Sequence, residues 1–137
     1  MGRIIALDYG KKRTGIAVTD PLQIIATGLT TVDTQTLFDF LQQYISTEVV
    51  EKIVIGDPLN LDGTETDSTA AVKHCIRRLK NTFPNIPIVT IDEGYTSKIA
   101  SKAMVEMGMK KKERQKKGII DEVAATMMLQ EYLGEGG

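Results

Sequence analysis

Two carboxylates in this sequence stand at the ends of strand-like runs. Asp8 follows residues 4–7, and Glu93 follows residues 88–92 and precedes a glycine. Both are expected to emerge at strand ends, where an unpaired carboxylate is costly to desolvate and needs a cation or a hydrogen-bond network. Asp8 could instead simply begin a turn, capped by the backbone amides of the two residues that follow it.

A third carboxylate, Asp121, falls in the first turn of the last predicted helix. The positions three, four and seven residues further on are Ala124, Ala125 and Met128, so the acid shares a small, apolar helix face. Small residues permit close packing on a sheet, which would bring this carboxylate towards the strand ends. For this residue alone, an exposed acid favoured by the helix dipole is an equally good interpretation.

Three carboxylates that converge on one edge repel one another unless a cation neutralises them. Coordination by oxygen alone suits Mg²⁺ or Mn²⁺. Two such ions could activate a water and stabilise the leaving oxygen of a phosphodiester. The pattern therefore predicts a metal-dependent phosphodiester hydrolase, with Asp8, Glu93 and Asp121 as its catalytic metal ligands.

Other residues with possible chemistry are weaker candidates. Asp57 follows the predicted strand that ends at Gly56 and could reach the same metal site, although a role in fixing the Gly-Asp-Pro turn is slightly favoured. His74 lies within a predicted helix, where a surface or packing role is favoured over catalysis. Cys75, on the apolar face of that helix, is most simply a core residue.

The elements that must position these acids alternate along the chain. Strands are predicted at about 3–8, 14–19, 24–32, 52–56 and 86–91, and helices at about 35–47, 65–81, 97–107 and 119–133. Asp33 or Thr34 is the expected N-cap of the first helix. Three strands joined by tight turns, followed by alternating helices and strands, predict an α/β fold with a mixed sheet. The carboxyl ends of its parallel strands share one edge, where the acids are expected to converge.

Composition limits the class of protein. With 137 residues, of which 42% are hydrophobic, the chain can bury one core, and a single domain over residues 1–137 is expected. One cysteine cannot form an intramolecular disulfide, and the first residues show no signal-peptide pattern, so a cytoplasmic location is expected. No apolar run approaches the roughly 20 residues that span a bilayer, which excludes a transmembrane role.

Basic residues cluster near two of the acids, although the formal net charge is −1. Residues 110–117 contain six cations against the single acid Glu113, a local charge of +5. Both this stretch and a second basic group after Asp8 are candidates for phosphate binding beside the metal site. A solvated lysine loop is the alternative for the longer stretch. The candidate residues are Lys11, Lys12, Arg13, Lys110, Lys111, Lys112, Arg114, Lys116 and Lys117.

Four motifs in chain order resemble the YqgF family, whose members are described as Holliday-junction resolvases and as nucleases that process pre-16S rRNA. The resemblance covers essentially the whole chain and implies a ribonuclease H-like fold, with a five-stranded sheet and helices on both faces. It also implies catalytic roles for the same three acids. The motifs are the hairpin Asp8-Tyr-Gly-Lys-Lys-Arg-Thr-Gly-Ile-Ala-Val18, the loop Gly56-Asp-Pro-Leu-Asn-Leu-Asp-Gly63, Asp92-Glu93 with Thr96-Ser97, and Lys117-Gly-Ile-Ile-Asp121.

Two positions depart from the family pattern. Gly94 stands where the motif usually has arginine, so a guanidinium that could bind phosphate is absent at this position. Asp57 stands where the family usually has an apolar residue, which adds a carboxylate.

The resemblance implies hydrolysis of a structured RNA or a branched DNA. The two candidate roles are processing of pre-16S rRNA in ribosome biogenesis, with pre-ribosomal particles as partners, and resolution of Holliday junctions. Mg²⁺ or Mn²⁺ would be the cofactor, no membrane partner is expected, and a monomer and a homodimer are both compatible. A non-catalytic nucleic-acid-binding module of the same fold is the second hypothesis, favoured by Gly94. An actin-like ATPase or sugar kinase ranks last. Its catalytic unit needs two domains that enclose the nucleotide, and this chain is too short for both.

Overall fold

The computed structural model describes residues 2–57, 67–92 and 117–134, which form a five-stranded mixed sheet with helices on both faces. The sheet order is β3-β2-β1-β4-β5; β2 is antiparallel to β1 and β3, and β4 is parallel to β1 and β5. This arrangement confirms the predicted ribonuclease H-like α/β fold. The elements are β1 (Arg3–Tyr9), β2 (Arg13–Thr19), β3 (Ala26–Asp33), α1 (Leu37–Thr47), β4 (Val50–Asp57), α2 (Asp67–Thr82), β5 (Ile88–Asp92) and α3 (Lys117–Gly134).

Strand β1 occupies the middle of the sheet and is buried on both faces. Residues 4–7 expose at most 2% of their surface. Ile5 and Leu7 belong to a core cluster with α1 and α2 on one face, whereas Ile4 and Ala6 belong to a second cluster with α3 on the other. A strand that contributes to two cores has a continuous apolar run instead of an alternating one, and this run made β1 recognisable in the sequence.

Small residues pack between α3 and the sheet. Ala6 and Ala17 on the sheet and Ala124 and Ala125 on the helix expose at most 1% of their surface. The helix contacts β1, β2 and β3. Side chains without bulk let a helix approach a sheet closely, so the predicted small-residue face of this helix is confirmed.

Strand β3 begins two residues later than the sequence pattern predicts, because the preceding turn uses two backbone donors. The Asp20 carboxylate accepts hydrogen bonds of 2.8 Å from the amides of Ile25 and Ile24. These bonds, chiefly that from Ile25, lower the pKa of the carboxyl group. Gln23 adopts a positive φ of 60° within the turn. The chain therefore enters the sheet only at Ala26.

The first helix also differs from its prediction at the N-terminus. A 3-10 turn over Thr34–Thr36 precedes α1, and the predicted cap is not formed, because Asp33 makes no side-chain cap hydrogen bond. The predicted helix at 97–107 lies outside the described residues. None of the helices in the described ranges is long and apolar enough to cross a membrane.

Cys75 is expected to be chemically inert in the folded protein. Its side chain is 2% exposed, in the core between the sheet and α2, and burial raises the pKa of the thiol to about 12. At a pH of about 8, only about one thiol in ten thousand would be the reactive thiolate. A disulfide reagent should therefore label the native protein far more slowly than the protein in guanidinium, and equal rates in the two states would contradict this placement.

Candidate active site

The carboxyl ends of three parallel strands meet at one edge of the sheet. Leu7 of β1 pairs with Ile55 of β4, and Asp57 of β4 pairs with Asp92 of β5. The strands that carry Asp8 and Asp57 are therefore neighbours, and their ends lie side by side. Glu93 immediately follows β5 in sequence and lies outside the described residues.

Asp8 is half-buried near the end of β1, opposite Gly15 of β2. Because successive side chains of a strand alternate between its faces, this carboxylate lies on the face of Ile4 and Ala6, which is the face that α3 covers. A carboxylate partly withdrawn from water at the end of a central strand is in the environment predicted for a cation ligand. The side chain of Asp57 lies outside the described part of the structure.

Helix α3 crosses the face of the sheet on which Asp8 lies. Near its C-terminus, Tyr132 accepts a hydrogen bond of 2.8 Å from Lys52, close to the beginning of β4. Nearer its N-terminus, the Glu122 side chain lies against Gly28 in β3. The helix therefore passes across the sheet from β3 towards β4, on the face that carries Asp8. Asp121 precedes Glu122 in the first turns, and its side chain lies outside the described residues.

The turn between β1 and β2 is fixed by contacts with the segment after β3. Thr34 donates its hydroxyl to the carbonyl of Gly10 at 2.6 Å, and its amide donates to the carbonyl of Lys12 at 3.0 Å. Its hydroxyl also lies 3.0 Å from that of the fully buried Thr14. A side chain at Gly10 would place a Cβ only 2.6 Å from the carbonyl oxygen of Arg13, so the tight turn requires glycine.

This turn presents basic residues beside Asp8. Lys11 and Lys12 are exposed at its tip, and Arg13 is half-buried where β2 begins. The structure therefore brings these three predicted phosphate-binding residues to the edge where β1 ends. The lysine-rich stretch at 110–116 lies outside the described residues, as does the side chain of Lys117.

Tyr9 packs against the core on the face opposite Asp8. Burial raises the pKa of its phenol, the proximity of Cys75 raises it further, and the Arg78 guanidinium lowers it. That guanidinium lies over the ring of Phe38, with its central carbon 3.9 Å from the ring centroid. Sequence reasoning missed Arg78, although α2 has basic residues at helical spacing that could have indicated it.

The side chains that the structure describes do not form a metal site by themselves. Within residues 2–57, 67–92 and 117–134, no three histidine, cysteine or acidic side chains form a group that could hold a metal ion. Of the four predicted ligands, only Asp8 has a described side chain. Asp57 and Asp92 pair in register at the ends of β4 and β5, beside the strand that carries Asp8, and aspartate supplies the oxygen ligands that hard divalent cations prefer.

Comparison with known proteins agrees with the family resemblance. A family model described as "RuvX: Holliday junction resolvase" matches residues 2–135. A protein of Flavobacterium johnsoniae named "Putative pre-16S rRNA nuclease" is 49% identical over 97% of this chain and 96% of its own length. Proteins with the same name from Phocaeicola vulgatus and Porphyromonas gingivalis are 48% and 49% identical, again over 97% of this chain and 96% of theirs.

The contacts of Thr34 predict a specific effect of its hydroxyl on stability. Thr34→Val keeps the shape of the side chain but leaves the Gly10 carbonyl without this donor, which should lower the free energy of unfolding by about 1–3 kcal/mol. Thr47→Val is the matched control, because that exposed hydroxyl bonds only within its own helix, to the carbonyl of Tyr44. Urea denaturation of both variants checks this expectation, and equal losses would contradict it.

Proposed function

The chain belongs to the RuvX family of Holliday junction resolvases, and on this premise we propose that it is a nuclease that hydrolyses phosphodiester bonds in structured nucleic acid. The observation that carries the proposal is the position of Asp8, half-buried at the end of the central strand and next to the strand that ends in Asp57. The names of the curated relatives support pre-16S rRNA as the substrate. That role would place the protein in the cytoplasm and bring it to pre-ribosomal particles.

Asp8, Glu93 and Asp121 are the proposed ligands of Mg²⁺ or Mn²⁺, with Asp57 as a further candidate. Aspartate and glutamate at strand ends supply only oxygen ligands, which suit these ions. When bound, two such ions would supply Lewis-acid stabilisation of the attacking and leaving oxygens of the scissile phosphodiester.

The contribution of the chain itself is to hold the phosphate backbone against this edge. Lys11, Lys12 and Arg13 lie in and beside the turn that Thr34 fixes, so their positive charges are held close to Asp8. The six cations of residues 110–117 precede Asp121 in sequence and would extend the same surface. Such contacts position the backbone without reading sequence.

The choice between RNA and branched DNA depends on the assembly. Resolution of a four-way junction requires two paired cuts, which a two-fold symmetric dimer would provide. Processing of an RNA end requires one active site. We therefore expect a monomer to favour the RNA substrate and a stable dimer to favour the junction.

A non-catalytic module that binds nucleic acid is the second candidate. Gly94, in the position of the family arginine, favours it, because glycine cannot hold a phosphate or stabilise charge that develops at the scissile group.

The first test of the nuclease proposal removes one negative ligand at a time. Asp8→Asn, Glu93→Gln and Asp121→Asn should each lower the Mn²⁺-dependent cleavage rate at least about 100-fold, because even an outer-shell partner of a metal site is worth about 10–100-fold. Asp39→Asn is the matched control, since Asp39 is exposed in the first turn of α1. Cleavage of pre-16S RNA and of a four-way junction is measured side by side. Wild-type rates in all three variants would exclude this catalytic centre.

The second test restores the missing guanidinium. Gly94→Arg should raise the cleavage rate or the affinity for substrate, because arginine can bind a phosphate through two parallel hydrogen bonds. Thr27→Arg adds the same charge at an exposed position of β3 and should change neither. A variant that melts at the wild-type temperature yet neither binds nor cleaves better would show that this arginine is not what limits activity.

A further inference from the structure

The exposed side of α2 carries a dense group of basic residues that the proposed catalytic site does not use. Between residues 70 and 82 the sequence has four lysines and arginines, one histidine and no acid. Val72, Cys75 and Leu79 face the core, whereas the cations are exposed. We call this surface the α2 basic face, and it consists of Lys73, Arg77, Arg78 and Lys80.

The arrangement of these charges differs from that of an ordinary solvated helix. Exposed helix surfaces usually place opposite charges three or four residues apart, and like charges at these spacings destabilise the helix. Here Arg77 and Lys80 are three residues apart. Within the described ranges, no carboxylate forms an ion pair with Arg77, Arg78 or Lys80. The helix keeps a repulsion that an anionic ligand would relieve.

One member of the α2 basic face is held in place. The Arg78 guanidinium lies 3.9 Å from the centroid of Phe38 in α1, which restricts its orientation. A guanidinium stacked on a ring keeps its in-plane N–H donors at its rim, and that geometry suits phosphate oxygens.

The α2 basic face begins near the acidic edge and extends away from it. Helix α2 follows β4, which ends at this edge with Asp57, and the charge of Arg78 is felt by Tyr9, the residue after Asp8. The face lies on the side of the sheet opposite α3. From Lys73 to Lys80 it spans about 10 Å of helix axis, a length over which a duplex presents about six phosphate charges.

We propose that the α2 basic face is a second phosphate-binding surface, which holds a double-stranded arm of the substrate on the side of the sheet opposite α3. This proposal rests on the proposed nuclease function. Because the contacts would be to the sugar-phosphate backbone, the surface would bind duplexes of any sequence.

The test uses the full-length protein and two fluorescein-labelled duplexes of two helical turns, one RNA and one DNA. The triple variant Lys73→Gln, Arg77→Gln, Lys80→Gln should reduce the slope of log Kd against log salt by about 2–3, for three lost phosphate contacts. A reduction with the RNA alone or the DNA alone would assign the arm to that nucleic acid. The melting temperature should stay close to that of the wild type, because all three altered side chains are exposed.

The matched control alters the net charge by the same amount at distant sites. The control is the triple variant Leu22→Glu, Val49→Glu, Gln130→Glu. Leu22 and Val49 are 60% and 72% exposed, and Gln130 is also exposed. The slope of log Kd against log salt should stay at the wild-type value. The proposal fails if the triple variant keeps the wild-type slope with both duplexes, or if the control lowers the slope equally. Absence of Mn²⁺-dependent cleavage by the wild type would instead refute the nuclease function, whatever the slope.

Discussion

Strand β1 lies in the middle of the sheet with apolar side chains packed against helices on both of its faces. Residues 4–7 are almost completely buried, so a charged group can appear only where the strand leaves this double core. Asp8 is the first residue at which it does. The alanines of α3 and of the sheet let this helix pack closely on the face that carries Asp8. The position of the proposed acidic site therefore follows from how the two cores are packed.

The distribution of charge explains how a chain with a net charge of −1 can bind a polyanion. Acids are proposed to gather at one edge, where cations would neutralise them, and lysines and arginines lie around that edge and along α2. Local potential, and not the sum of charges, governs attraction of a phosphate backbone. On this account Lys11 and Lys12 act next to the scissile bond, whereas the α2 basic face acts on a more distant part of the substrate.

The sequence allowed much of the fold to be predicted, because each strand next to β1 is a clear apolar run and the small face of α3 repeats at helical spacing. The errors occur where side-chain hydrogen bonds that the apolar pattern does not show determine how a segment begins. The Asp20 carboxylate accepts hydrogen bonds from the amides of Ile24 and Ile25, so β3 begins later than predicted. The Thr34 hydroxyl donates to the carbonyl of Gly10 instead of capping a helix. The stacking of Arg78 on Phe38 joins two helices distant in sequence, so spacing could not reveal it. For the site, the apolar run before Asp8 predicted its place near the end of the central strand, and the basic run after it predicted the cations of the following turn.

We propose that the carboxylates of this edge form one divalent metal site together, and calorimetric titration of Mn²⁺ into the wild type and into Asp8→Asn tests this directly. We expect saturable binding to the wild type and at least about tenfold weaker binding to the variant. The melting temperature of the metal-free variant should be at or above that of the wild type, since one of several repelling charges is removed. Equal Mn²⁺ affinity in the two proteins, together with a lower melting temperature for Asp8→Asn, would show instead that Asp8 only caps a turn.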